Sequence, residues 1–220
     1  MGRYQVAKTI EIAECATIYV LPVDENIGAI NSAIIPAEQV AELSTYLRPR
    51  DRDKRLLARA YLYERLVRQH GLSDLSLVFN EYKKPSLKAA PHLYFSFSYS
   101  HDYLLVGLSE GRALGVDIEY IDAGINIREI AHTIMCPAEL QTFESLPHPD
   151  AQRRFFFTLF AAKEAIIKAF GTGLYYDVKT LDIATSSYEY SGKTFGYQNL
   201  ESIVEHYAVA ACIEHASMKS

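Results

Sequence analysis

The chain has 220 residues, 49% hydrophobic and 22% charged, the composition of a globular protein with a real core and room for one large domain or two small ones. A formal net charge of −5 argues against broad binding to nucleic acid or anionic membranes, and no apolar run approaches the roughly 20 residues of a membrane helix. Cys15, Cys136 and Cys212 lie far apart with no CxxC, which fits a reduced, cytoplasmic protein.

In chain order, "IYVLPVD" (18–24) reads as a buried strand and "IPAE" (35–38) opens a short helix. "RDKRLLARAYLYERLVRQHG" (52–71) has the period of a long helix, and "NEYKKPSL" (80–87) is a turn. "YFSFSYSHDYLLVGLS" (94–109) alternates, with Ser96, Ser98 and Ser100 on one face. That face is either an exposed edge or a row of hydroxyls offered to phosphate oxygens. After the turn "SEGRALG" (109–115) comes "GVDIEYI" (115–121), a strand with two carboxylates, Asp117 and Glu119, on the same face. "CPAE" (136–139) precedes a second long helix, "QRRFFFTLFAAKEAIIKAFG" (152–171), for which Asp150 is the expected N-cap and Gly171 the stop.

These pieces repeat. Glu64 answers Glu164, Arg68 answers Lys168 and Gly71 answers Gly171, one hundred positions apart. "IPAE" matches "CPAE", "YLLVGLSE" (103–110) matches "YAVAACIE" (207–214), and "IYVLPVD" can be laid on "VDIEYID". The expected fold is therefore α+β, with two similar subdomains related by a pseudo-twofold repeat. Each is a small antiparallel sheet packed on a long helix, with the active site at their interface. The expected boundaries are 1–112 and 113–220. In the front copy Tyr19 and Leu21 stand where Asp117 and Glu119 stand in the back, so the scaffold does not need carboxylates there.

On the second helix Phe157, Phe160, Glu164 and Lys168 form one stripe, with Lys163 one position round. Alone, Glu164 and Lys168 make an ordinary (i, i+4) pair. Facing Asp117 and Glu119, Glu164 completes a set of hard oxygen ligands without His or Cys, which suits Mg²⁺ or Mn²⁺. Lys163 and Lys168 would neutralise phosphates held by that ion. The front helix concentrates eight basic residues between Arg48 and Arg68, with Arg52, Arg55 and Arg59 on one stripe. They form either a solvated face or a phosphate-binding one.

"GVDIEYI" followed about forty residues later by "FAAKEAIIKAFGTGL" resembles the two-part signature of the 4′-phosphopantetheinyl transferases. The likeness is greatest to the larger, pseudo-dimeric type that activates peptide and polyketide synthetases. "KKPSL" resembles that family's Gly-Lys-Pro loop, and "FSFSYS" its Phe-Asn-x-Ser-His-Ser segment. The resemblance implies transfer of phosphopantetheine from coenzyme A to a serine of an apo acyl or peptidyl carrier protein, with release of 3′,5′-ADP. It implies a Mg²⁺ site of Asp117, Glu119 and Glu164, with Glu164, Lys168 and Asp117 catalytic. It implies coenzyme A contacts from Arg55, Arg59, Lys84, Pro85, Ser98, Tyr99, His101, Lys163 and Lys168. Either Glu164 or a water on the ion would take the serine proton. Tyr99 stands where the family has His, and His101 is the candidate to replace it. Phe160 replaces a Trp, and Lys83 a Gly. The expected protein is a cytoplasmic monomer. Rival readings are an inactive coenzyme A or carrier-protein binder, which Tyr99 favours, and a magnesium nuclease. Against the nuclease stand the acidic net charge and the lack of a Glu-x-Lys strand.

Overall fold

The computed structural model describes residues 3–200 and 203–216. The outermost positions of the two expected halves, 1–2 and 217–220, lie outside it. The described chain is a mixed α+β structure with antiparallel sheets. One sheet has the order β1 (Lys8–Ala13), β2 (Ala16–Pro22), β6 (Tyr103–Glu110), β5 (Leu93–Ser100). A second has the order β7 (Leu114–Tyr120), β10 (Tyr207–Glu214), β9 (Lys193–Asn199), β8 (Ser187–Tyr190). A small hairpin pairs β3 (Leu77–Phe79) with β4 (Pro85–Leu87). The helices are α1 (Asp24–Ile27), α2 (Ala37–Leu43), α3 (Pro49–His70), α4 (Ile127–Ile134), α5 (Pro137–Ser145) and α6 (Pro149–Phe170). Among the described residues, no helix is long and apolar enough to cross a membrane.

The two long helices begin and end for the same local reasons. Each has proline in its first turn, where the missing N–H costs nothing, and an acidic residue in the same turn. Each stops at a glycine in the left-handed region, Gly71 at φ 64° and Gly171 at φ 82°, a conformation that a Cβ would oppose. Asp150 is not the N-cap of α6. His148 holds that position with extended backbone, because Pro149 starts the helix and leaves Asp150 inside the first turn.

Strand alternation distributes the core. Tyr19 and Leu21 of β2 pack with Leu57, Tyr61 and Leu62 of α3. Ile18 and Val20, on the opposite face, join Leu114, Val116, Ile118, Val209 and Ala211 in a separate buried cluster. That cluster takes residues from both four-stranded sheets and fuses them. A third cluster buries Leu159, Ala162, Ala165 and Ile166 of α6 against Ala210 and Cys212 of β10. At about 25 cal/mol per Å² of buried apolar surface, these cores are what hold the two sheets and long helices together.

Candidate active site

Val116 and Ile118 of β7 are fully buried on the face that meets the other sheet. Asp117 and Glu119 must then point to the opposite face, toward α6. The register agrees with this: Asp117 pairs with Ala210 and Glu119 with Ala208, both of which pack in the α6 cluster. Gly115 sets the approach. A Cβ there would collide with the backbone of α6 at Ala165 and Ala169, so only glycine lets the helix lie this close to the strand. The close approach carries Glu164 and Lys168 to the two strand carboxylates.

Lys168 Nζ lies 2.5 Å from Asp117 Oδ1 and 3.3 Å from the Val116 carbonyl. Ser98 Oγ donates to the same Oδ1 at 2.7 Å. Asp117 Oδ2 is buried and has no hydrogen-bond partner. Burial pushes the carboxyl of Asp117 up, against the pull of Lys168 and Ser98. Glu119 is raised from 4.5 to about 8, by burial first and then by Asp117, with Glu164 adding to it. Glu164 is raised by burial and by Asp117. Three acidic groups thus press on one another with one ammonium among them. A buried carboxylate oxygen without a donor, beside two glutamates that resist ionising, is the environment that a hard divalent cation relieves. The donors are hard carboxylate oxygens of the kind Mg²⁺ takes, though the ligand atoms of Asp117, Glu119 and Glu164 do not all lie within 4.8 Å of one another.

A cleft of about 270 Å³ reaches this cluster through Lys168, its other walls including Lys84, Pro85, Phe97, Tyr99 and Gly173. A second, of about 340 Å³, adjoins it past Tyr82 and Gly171 and runs to Tyr190 and Lys193. The β3–β4 hairpin is fastened beside them by the Asn80 side chain, which donates to the Gly171 carbonyl at 2.8 Å.

Several expected site residues are placed otherwise. Lys163 does not face the carboxylates. It is fully buried, and its ammonium donates to Glu139 Oε2 at 2.7 Å and to the carbonyls of Ile134 and Val178. One residue along a helix is a rotation of about 100°, which turns Lys163 away from the face that Glu164 occupies. The Lys84 ammonium donates to the Leu114 carbonyl at the start of β7 and to the carbonyls of Lys168 and Ala169 at the C-terminal end of α6. Burial lowers it to about 8.

Ser96, Ser98 and Ser100 are not an exposed edge. They are buried, and their oxygens accept from backbone N–H groups of β7. His101 does not continue β5: it sits in the following turn at φ 42°, its ring 4.3 Å from that of Tyr120. Arg55 lies 5.2 Å above the Tyr99 ring, and burial raises the Tyr99 hydroxyl to about 12. Arg55 also donates to the Asp51 carbonyl, while Arg59 donates to Gln39 and Tyr63. Arg52 pairs with its neighbour Asp53. Glu64 pairs with Arg68 at 3.3 Å, the structural (i, i+4) use that its missing acidic partners predict.

Among the described residues, the acidic and thiol groups whose ligand atoms all lie within 4.8 Å of one another are Cys136, Glu139 and Asp182. That cluster is already filled: Glu139 takes Lys163 and the N–H groups of Cys136 and Ile183. It is a buried anchor for α6, and sequence reasoning missed it because Glu139 is read there only as part of a helix start.

The comparisons with known proteins bear on this site. Residues 113–212, which contain β7, α6 and the whole acidic cluster, match the family model described as 4′-phosphopantetheinyl transferase superfamily. This half of the chain carries that superfamily's sequence pattern. A 4′-phosphopantetheinyl transferase of Bacillus subtilis is 27% identical over 144 residues, 64% of this chain and 62% of that protein. The transferase HetI of a Nostoc species is 26% identical over 148 residues, 65% of this chain and 62% of that protein. AcpT of Escherichia coli K12 is 32% identical over 112 residues, 50% of this chain and 57% of that protein. The chain spans less than two thirds of the length of each of these relatives. The holo-[acyl-carrier-protein] synthase of Thermotoga maritima aligns over 47% of this chain and 62% of its own, at 21% identity and a TM-score of 0.35. That likeness is too distant to bear on the site.

Proposed function

We propose that this chain transfers the 4′-phosphopantetheine group of coenzyme A to a serine hydroxyl of an apo carrier protein, leaving holo carrier protein and 3′,5′-ADP. The observation that carries the reading is the close seating of α6 on β7 at Gly115. It puts Glu164 and Lys168 against Asp117 and Glu119 and leaves Asp117 Oδ2 buried without a partner.

Asp117, Glu119 and Glu164 would hold Mg²⁺, with Mn²⁺ an expected substitute. When bound, the ion neutralises charge on the coenzyme A pyrophosphate. The chain's own groups do the rest. Lys168, at the meeting point of cleft and carboxylates, donates toward the phosphoryl group under transfer. Either Glu164 or a water on the ion would accept the proton of the attacking serine. The cleft walls at Pro85 and Tyr99 take the nucleotide end.

The division at 112/113 into two repeated halves belongs to the same proposal. Tyr19 pairs with Val106 in the front sheet as Asp117 pairs with Ala210 in the back, in step with the sequence match. The front copy carries no acidic pair at those positions, so one active site per chain is expected, at the seam, in a cytoplasmic monomer. A coenzyme A binder without transfer activity is the second reading, favoured by Tyr99 at the family's histidine position. Incubation with coenzyme A, Mg²⁺ and several apo carrier proteins tests both. A mass gain of one phosphopantetheine on the carrier supports transfer. Coenzyme A binding at one site per chain without that gain supports the second reading, and two equivalent sites per chain would overturn the asymmetric design.

A further inference from the structure

The row of hydroxyls on β5 has no part in that chemistry, yet it touches the acidic cluster. β7 is an edge strand of its sheet, so every second N–H along it lacks a ladder partner. The N–H groups of Val116, Ile118 and Tyr120 donate instead to Ser96, Ser98 and Ser100 Oγ, at 3.1, 3.3 and 2.9 Å. Both strands alternate with period two, so each serine meets the residue twenty positions on. Three side-chain oxygens thus do the work of a backbone strand.

A hydroxyl that accepts still has its own proton to give. Ser98 gives it to Asp117 Oδ1 at 2.7 Å, and Ser100 lies 3.5 Å from Glu119 Oε2. Ser96 has no such recipient, because the β7 residue in the equivalent place is Gly115. Asp117 Oδ1 is then occupied twice, by Ser98 and by Lys168, while Oδ2 is left bare.

We propose that Ser98 is a positioning residue for the cation site: it fixes the Asp117 carboxylate so that Oδ2 alone is presented as ligand, and Ser100 supports Glu119 in the same way over a longer contact. This rests on the reading of Asp117, Glu119 and Glu164 as the cation site. Groups that hydrogen-bond a metal ligand in this manner change metal affinity by about 10–100-fold when removed.

The test is Mn²⁺ binding to the full chain, without coenzyme A, by titration calorimetry, alongside urea unfolding in chelator. The proteins are wild type, Ser96→Ala, Ser98→Ala, Ser98→Thr and Ser100→Ala. Ser96→Ala and Ser98→Ala each remove one acceptor of a β7 N–H, so both should lower stability comparably. Ser98→Ala should weaken Mn²⁺ binding most, by about 10–100-fold, with Ser98→Thr restoring it, Ser100→Ala losing less and Ser96→Ala leaving it unchanged. Wild-type affinity in Ser98→Ala, or equal losses in Ser96→Ala and Ser98→Ala, would overturn the positioning role and leave the cation site standing. Failure of the wild type to bind Mn²⁺ would overturn the cation site itself.

Discussion

Replacing Lys163 by methionine separates a phosphate ligand from a structural anchor. In the folded chain its ammonium has three acceptors: Glu139 Oε2 at 2.7 Å, the Ile134 carbonyl at 2.9 Å and the Val178 carbonyl at 3.0 Å. Neither partner of the ion pair sees solvent, with side-chain exposures of 1% for Lys163 and 4% for Glu139. Methionine fills the space of the stem but supplies no donor. Two carbonyls are then left without it, and a buried carboxylate keeps only the N–H groups of Cys136 and Ile183. Breaking a buried pair by removing one partner costs about 3–5 kcal/mol. For a chain of this size each kcal/mol moves the melting temperature by about 2–4 °C, so the expected drop is roughly 6–20 °C. The assay is thermal and urea unfolding of Lys163→Met, with the KM for coenzyme A measured well below the variant's transition. The double variant Lys163→Met/Glu139→Leu should recover much of the loss, since replacing both charges by apolar groups is often neutral. Wild-type stability together with a raised KM would refute the reasoning and return Lys163 to the substrate.

Two further outcomes follow from the charged groups. Glu119 has a folded pKa near 8 against an ordinary 4.5, so between those values the folded state holds more protons than the unfolded one, and stability falls as pH rises. Glu119→Gln should therefore outlast wild type above pH 8 in chelator, by on the order of 2 kcal/mol after discounting for its partial exposure, and match it near pH 4.5; a difference independent of pH in urea unfolding would sink this. Lys84 runs the other way: its folded pKa is about 8 against 10.5, so the unfolded state binds more protons in between, and the stability of wild type minus Lys84→Met should rise from pH 8 to pH 10.5, whereas a flat difference would mean that the ammonium is solvated.

The long helices are legible in the sequence because each is bracketed by local chemistry, a proline in its first turn and a glycine at its left-handed end. β7 is legible as a strand because Val116 and Ile118 alternate with Asp117 and Glu119, and alternation alone fixes that the two carboxylates share a face. The meeting of that face with Glu164 and Lys168 follows from the helical stripe through Phe157 and Phe160. What periodicity does not reveal is the role of Gly115. Its lack of a Cβ matters only once α6 lies on it, fifty residues later in the chain.

Three of the expected site residues share a physical setting. Lys84, Ser98 and Lys163 are polar side chains near the acidic cluster in sequence or by pattern, and each was expected to face phosphate. In the structure each answers a backbone group that the fold would otherwise bury unpaired. Lys84 covers carbonyls at the end of α6, the serines cover the N–H row of β7, and Lys163 covers the Ile134 carbonyl at the end of α4. An unpaired buried backbone group costs about 1–3 kcal/mol, so an edge strand and a helix end brought to a seam must recruit side chains from elsewhere in the chain. Those recruits come from 20, 84 and 29 residues away, beyond any local window. Ser98 shows that the two uses need not compete. Its oxygen closes the β7 edge while its proton goes to Asp117 Oδ1, so one hydroxyl serves both the backbone and the carboxylate.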